Sequence, residues 1–222
     1  MNQPLSSTEE NYLKAIFKLC EQTDNAASTN DVALALNTRA ASVTDMLKRL
    51  AEKSLINYIK YKGVTLTSSG RTIATSLIRK HRLWEVFLTD KLNFGWEEVH
   101  EIAEQLEHIK SSELTNRLEE FLNFPKYDPH GDPIPDSDGN FQYRQQVHLA
   151  DVPLNTEVII VGVSEHETSF LQYLEKLNLI LGAKLVIQES FEYDQSILVT
   201  VNQSAAQNIS AKVAKNIYVQ KI

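Results

Sequence analysis

The chain has 222 residues, is 42% hydrophobic and 23% charged, and carries a formal net charge of −7. That length accommodates two or three small domains around a sizeable core. It contains no apolar run of about eighteen residues, which argues against a membrane span, and its single cysteine, Cys20, excludes an intrachain disulfide and fits a reducing cytoplasm. Met1–Glu10 has no basic stretch leading into an apolar one, so no signal peptide is expected. The charge is uneven: residues 1–82 carry twelve Lys or Arg against seven Asp or Glu, and residues 83–222 carry ten against twenty-two. A basic N-terminal third can meet phosphate, while an acidic remainder repels DNA and attracts cations. On charge alone, accidental unevenness stays open.

In chain order, Thr8 is the expected cap of a first helix with Tyr12, Leu13, Ile16, Phe17 and Leu19 at helical spacing. Val32, Ala33 and Leu36 mark a short second helix, capped at Thr29 or Asn30. Asn37-Thr38-Arg39 breaks it, and a third helix follows with Val43, Met46, Leu47 and Leu50 on its buried stripe. Two short helices around a tight turn read as a helix-turn-helix. Leu55–Thr67 reads as a hairpin turning at Lys62-Gly63, hence a wing with Lys60 and Lys62 at its tip. Longer amphipathic helices are expected over about 69–89, 97–109 and 112–122, with apolar residues on both sides that suit a helical dimerisation unit or an intramolecular core. Residues 124–140 hold four prolines, two glycines and four aspartates and read as a loop. From about Val147, β-runs at 157–163, 184–189, 197–201 and 218–222, with short helices at 170–177 and 205–214, read as a small β-barrel.

Ligand-type residues gather in the middle helices. His81 and Glu85 stand four apart, and His100, Glu104, Glu107 and His108 fall in a stripe of about 100° on one helix. Imidazole and carboxylate without thiolate suit Mn²⁺ or Fe²⁺. Glu97, Glu98 and Glu101 are expected to be solvated, and His130, His148 and His166, in polar loops, to be surface histidines. Glu97–His100 matches the Glu-x-x-His of di-iron bundles, but such sites need two copies. No Gly-rich phosphate loop, His-Glu-x-x-His or Gly-x-Ser-x-Gly is present, so no enzymatic activity is expected.

An ordered series of segments, 8–13, 41–50, 66–71, 79–83, 104–108 and the loop Asp128-Pro129-His130-Gly131-Asp132-Pro133-Ile134-Pro135, resembles the diphtheria toxin repressor family of metal-dependent regulators across the whole chain. The resemblance implies an α+β chain: a winged helix-turn-helix over 1–74, a helical metal-binding and dimerisation domain over 75–146, and an SH3-like domain over 147–222. It also implies a primary metal site at Glu104, Glu107 and His108 with Asn11 at an N-terminal ligand position. A second site would use His81, Glu85 and His100, with Glu167 contributed by the SH3-like domain, where Phe170 replaces an expected glutamine. Glu104 stands where the iron-responsive branch has cysteine and the manganese-responsive branch glutamate.

The function implied is a cytoplasmic homodimeric repressor that senses Mn²⁺ or Fe²⁺ and binds a near-palindromic operator in double-stranded DNA at metal-uptake genes. Lys48, Arg49, Lys60 and Lys62 would neutralise phosphates, and Arg39, Ser42, Thr44 and Asp45 would lie nearest the base edges. The alternative is a metalloenzyme or metal-storage module with an accessory DNA-binding head.

Overall fold

The first helix, α1 (Ser7–Thr23), is capped at Ser6 rather than at the expected Thr8. Ser6 Oγ accepts the Glu9 N–H at 3.3 Å, and Glu9 Oε2 accepts the Ser6 N–H at 3.0 Å, so two otherwise unsatisfied donors are covered reciprocally. The same device starts α2 (Thr29–Ala35): the cap is Ser28, paired with Asp31, not Thr29 or Asn30. Asn37 leaves α2 in the left-handed region, at φ 46°, and α3 (Ala40–Glu52) buries Val43, Leu47 and Leu50 on one stripe. The wing is an antiparallel hairpin of β1 (Ile56–Ile59) and β2 (Gly63–Leu66), with Ile56 opposite Leu66 and Ile59 opposite Gly63. Ala27 pairs with the outer edge of β2 through Val64. Gly63 is required there: its φ is 103°, and a Cβ would meet the Ala27 carbonyl oxygen at 2.8 Å.

The computed structural model describes residues 4–23, 25–59 and 62–222. They form two compact units, each discontinuous in sequence. The first comprises Met1–His81, Glu104–Asn116 and Pro135–Phe141. Its core joins Leu13, Ile16 and Phe17 of α1 to Val32, Val43, Leu47, Leu50 and Val64, and to Ala74 and Ile78 from the start of α4 (Ser68–Leu92). Phe141 stacks on Phe17 at 5.6 Å. Each of these leucines contributes on the order of 2 kcal/mol by leaving water.

The second unit comprises Arg82–Ala103, Arg117–Ile134 and Gln142–Ile222. Leu83 and Val86 of α4 pack with Leu118 of α6 (Ser112–Phe121) and with Ile134. Leu88 packs with Val99 and Ala103 of α5 (Val99–Leu106). Helix α5 is shorter than the expected 97–109. Residues 96–98 form a turn, and the Ile109 N–H closes back on the Leu106 carbonyl at 3.1 Å, so Glu107 and His108 lie just beyond the helix.

The rest of this unit is an antiparallel sheet of six strands in the order β3-β8-β4-β5-β6-β7, the SH3-like domain. The strands are β3 (Val147–His148), β4 (Glu157–Val163), β5 (Lys184–Ser190), β6 (Ile197–Val201), β7 (Gln207–Ile209) and β8 (Ile217–Lys221). Helices α7 (Thr168–Lys176) and α8 (Ala211–Ala214) complete it. Register shifts at Ile160/Gly162 and Ile187/Glu189 bend the sheet around Leu149, Ile160, Leu174, Leu185, Val199 and Ile217. The helix expected over 205–214 is instead β7 followed by α8. Asn202 and Gln203 turn the chain at positive φ so that β7 pairs with β6, and Ser210 starts α8 by accepting the Val213 N–H at 3.3 Å. No helix among the described residues is long and apolar enough to cross a membrane.

Candidate metal centre and DNA-reading face

In the first unit, α1 presents Glu10, Asn11 and Lys14 within one helical turn, so the three lie on neighbouring parts of one face. Against them stand Glu104, on the last turn of α5, and Glu107 and His108, in the turn that closes it. The Glu107 side chain is 0% exposed. Lys14 Nζ reaches its Oε1 at 2.7 Å and Oε2 at 2.8 Å, and also Glu104 Oε1 at 3.2 Å. His81 Nδ1 lies 2.6 Å from Glu107 Oε2, and His108 Nδ1 lies 2.7 Å from Glu10 Oε2. Burial pushes the Glu107 carboxyl up, but His81 and Lys14 outweigh it and hold the group below the ordinary carboxylate range. Asn11 Oδ1 is buried with no hydrogen-bond partner. A buried carbonyl oxygen in that condition beside anionic side chains is a vacant acceptor for a cation.

A second cluster lies in the second unit. Glu85 of α4 faces His100 of α5, with His100 Nδ1 3.4 Å from Glu85 Oε1. The loop after α6 adds Asp128 and His130, and ligand atoms of Glu85, Asp128 and His130 all lie within 4.8 Å of one another, all three residues being buried. His130 is 1% exposed, contrary to its expected place at the surface. The cause is the hydrogen bonding of its polar neighbours. Asp128 Oδ1 accepts the His130 and Asp132 N–H groups at 2.8 and 3.0 Å, which folds the loop inward. Arg144 donates to the Gly131 carbonyl at 2.7 Å and to the Val161 carbonyl, with its guanidinium 3.9 Å from the Tyr127 ring centre.

The His130 ring stacks with Trp96, at 6.0 Å, and with His166, at 4.7 Å. Its Nε2 stands 2.8 Å from the Trp96 carbonyl oxygen, which can only accept, so Nε2 carries a proton. Nδ1 faces Glu85 Oε2 at 3.8 Å and Asp128 Oδ1 at 4.0 Å, with no hydrogen bond. Burial pulls the His130 pKa down, but Glu85 and Asp128 outweigh it and raise it to about 9. Burial, with Asp132 and Glu85, pushes the Asp128 carboxyl well above its usual range despite Arg82 and His130. Two carboxylates in so dry a place favour added positive charge.

His148 is half-buried against the Tyr218 ring, and Glu97 is half-buried, whereas Glu98 and Glu101 are exposed as expected. Glu167 is the exposed residue preceding α7 and belongs to neither grouping; the neighbouring His166 is the side chain that stacks on His130. Asp128 and His130 escaped the sequence reading, although the flanking Pro129 and Gly131 signal a turn tight enough to aim a side chain inward. The roles of Glu10 and Lys14 escaped it too; a lysine set among Tyr12, Leu13, Ile16 and Phe17 was the signal.

Arg39, which precedes α3, and Ser42, Asp45, Lys48 and Arg49 on it are exposed, and Thr44 is half-buried, its hydroxyl donating to the Ala40 carbonyl at 3.0 Å. Lys48 and Asp45 pair at 3.4 Å on the same face. Lys62 is exposed in the wing, and Lys60 lies outside the described residues.

A winged helix whose first helix touches a carboxylate–imidazole cluster defines a metal-responsive DNA-binding regulator. Residues 4–64 match the model of the iron dependent repressor N-terminal DNA binding domain, 67–136 that of the metal binding and dimerisation domain, and 147–221 the FeoA domain. The iron-dependent repressor IdeR of Mycobacterium tuberculosis is 30% identical over 186 residues, 80% of each chain. A solved manganese-dependent transcriptional repressor in complex with manganese is 31% identical, with a TM-score of 0.84 over 96% of this chain and 100% of that one. The manganese regulator SloR is 33% identical, with a TM-score of 0.73 over 96% and 98%. The chain belongs to the iron-dependent repressor family, that of the diphtheria toxin repressor, and the relatives just named are metal-dependent transcriptional repressors.

Proposed function

We propose that this chain is a homodimeric repressor that binds a near-palindromic operator at metal-uptake genes when Mn²⁺ or Fe²⁺ is bound. Glu104, Glu107 and His108, with Asn11 and Glu10 of α1, would hold one ion; Glu85, His100, Asp128 and His130 would hold a second. The observation that carries the reading is the convergence of Glu10 and Lys14 of the winged helix on Glu104, Glu107 and His108. The orphaned Asn11 Oδ1 fits a bound cation, and His130 Nδ1, which faces two carboxylates, would ligate one by giving up its proton. A bound ion supplies two positive charges beside carboxylates that otherwise repel each other. His81 orients Glu107, and α1 is held to the turn after α5, which fixes the base of the DNA-binding domain. The donors are oxygen and imidazole; Cys20, half-buried and bonded to the Val64 carbonyl at 3.7 Å, takes no part. Two of the structural relatives are manganese regulators, which supports Mn²⁺ as the first ion to test.

The exposed face of α3, with Lys62, would enter the major groove, two copies reading two half-sites. Such a regulator works beside the chromosome, hence in the cytoplasm. The test is selection of operator fragments from random DNA, followed by gel-shift titration with Mn²⁺, with Fe²⁺ and with chelator. Metal-dependent retention of a two-fold symmetric site by a dimer is expected; equal affinity with and without metal would overturn the proposal.

A further inference from the structure

We propose that Lys14 is a tethered cation, standing where a dication would act and setting the concentration at which a divalent ion enters. The inference rests on the reading of Glu104, Glu107 and His108 as a metal site. An ammonium has three protons to donate, and Lys14 has three carboxylate oxygens within 3.2 Å: both of Glu107 and one of Glu104. The contact is dry, with the Lys14 side chain 7% exposed and Glu107 fully buried. Glu107 Oε1 is committed to Lys14, and Oε2 to Lys14 and His81. An ion coordinated by Glu107 would stand beside the Lys14 ammonium on the same buried carboxylate and repel it, so Lys14 and the ion compete for Glu107.

Lys14 is an incomplete substitute. It satisfies the charge of Glu107, yet Asn11 Oδ1, three residues earlier on the same helix, keeps no partner, and His108 turns to Glu10. An ion with more coordination positions can engage those groups together. The lysine stem is flexible enough to swing its head to solvent from the face of α1. The two cations therefore compete for one anionic seat, and the lysine, being covalently attached, competes at a fixed effective concentration. The structure thereby gives the site a threshold: α1 stays tied to Glu104 and Glu107 through Lys14 until divalent metal is abundant.

The test uses the full chain, stripped with chelator, in three forms: wild type, Lys14→Met and Glu107→Gln. Calorimetric titration with Mn²⁺ should show at least about tenfold tighter binding in Lys14→Met and at least about tenfold weaker binding in Glu107→Gln. Should Lys14→Met not fold without metal, amine methylation of the wild type, read by mass spectrometry, decides the matter. Lys14 should be protected in the stripped protein and modified several-fold faster with Mn²⁺. If Glu107→Gln loses affinity while Lys14→Met does not gain it, or if Mn²⁺ leaves Lys14 methylation unchanged, the tethered-cation proposal is overturned and the metal site stands. If all three forms bind Mn²⁺ alike, the site assignment fails and the proposal with it.

Discussion

Replacing Glu107 with alanine removes the one fully buried carboxylate that faces both Lys14 and His81. The Lys14 ammonium is then left dry with only Glu104, which is half-exposed, at 3.2 Å. Removing one partner of a buried ion pair destabilises by about 3–5 kcal/mol, because the surviving charge keeps its desolvation penalty. At roughly 2–4 °C per kcal/mol for chains of this size, the metal-free Tm should fall on the order of 10 °C. Adding Lys14→Met to Glu107→Ala removes the orphaned charge as well and should restore about half of the loss or more. The sign with pH follows from the lowered Glu107 pKa: its contribution is present above the ordinary carboxylate value and disappears as pH falls through the folded one. Chelator-treated proteins melted by circular dichroism between pH 3 and 7 provide the assay. A Glu107→Ala Tm within a degree of wild type at pH 7, or a double variant whose loss equals the sum of the two singles, would refute the buried-pair argument.

On the DNA face, Arg49→Ala or Lys62→Ala should weaken binding to every sequence and lower the salt slope by about one unit per lost phosphate contact. Ser42→Ala should instead alter the sequence preference, read by selection from random DNA. Gly131→Ala places a Cβ 2.1 Å from the Val161 carbonyl oxygen at a φ of 91°, so it should cost more than about 1 kcal/mol and abolish one of two Mn²⁺ sites in calorimetry. Burial pushes Glu9 up, but its bonds to Lys53 and Ser6 prevail and lower its pKa. Its stabilisation should therefore be present above pH 4.5 and lost as the pH drops further, by about 1 kcal/mol in urea unfolding, and Glu9→Gln should remove that dependence.

The winged helix was legible because its apolar positions repeat at helical spacing and its punctuation, Asn37 and Gly63, is demanded by backbone geometry. The caps were misplaced by one or two residues, although Ser6-x-x-Glu9 and Ser28-x-x-Asp31 carry the reciprocal pattern openly. Helical spacing of Glu104, Glu107 and His108 singles out a stretch of chain that packs against α1, but it overextends α5: a periodic pattern continues through a turn that hydrogen bonds terminate. The burial of His130 was illegible for another reason. Polar flanks usually mean solvent, and here they supply the bonds that fold the loop inward. Lys14 shows the same limit from the other side, since a charge on an apolar stretch announces a partner without naming one ninety residues away. Residues 207–209, too short to show an alternation, hold their strand through pairing with β6, which no local pattern encodes.

Arg144 joins the Gly131 and Val161 carbonyls, and the Val163 N–H donates to the His130 carbonyl at 3.0 Å. Both ties bind the loop to strand β4, which follows it in the chain by about thirty residues. A ribosome releases the chain from its N-terminus, so the winged helix can close its core while β4 is still unsynthesised. The loop that carries Asp128 and His130 can meet Arg144 earlier, but until β4 is in place Arg144 lacks its second tie, to the Val161 carbonyl, and the His130 carbonyl lacks its donor, Val163. The nascent protein can thus close its winged helix early and secures the Asp128–His130 loop late, and a transcript cut short before codon 157 encodes the former without the strand that holds the latter in place.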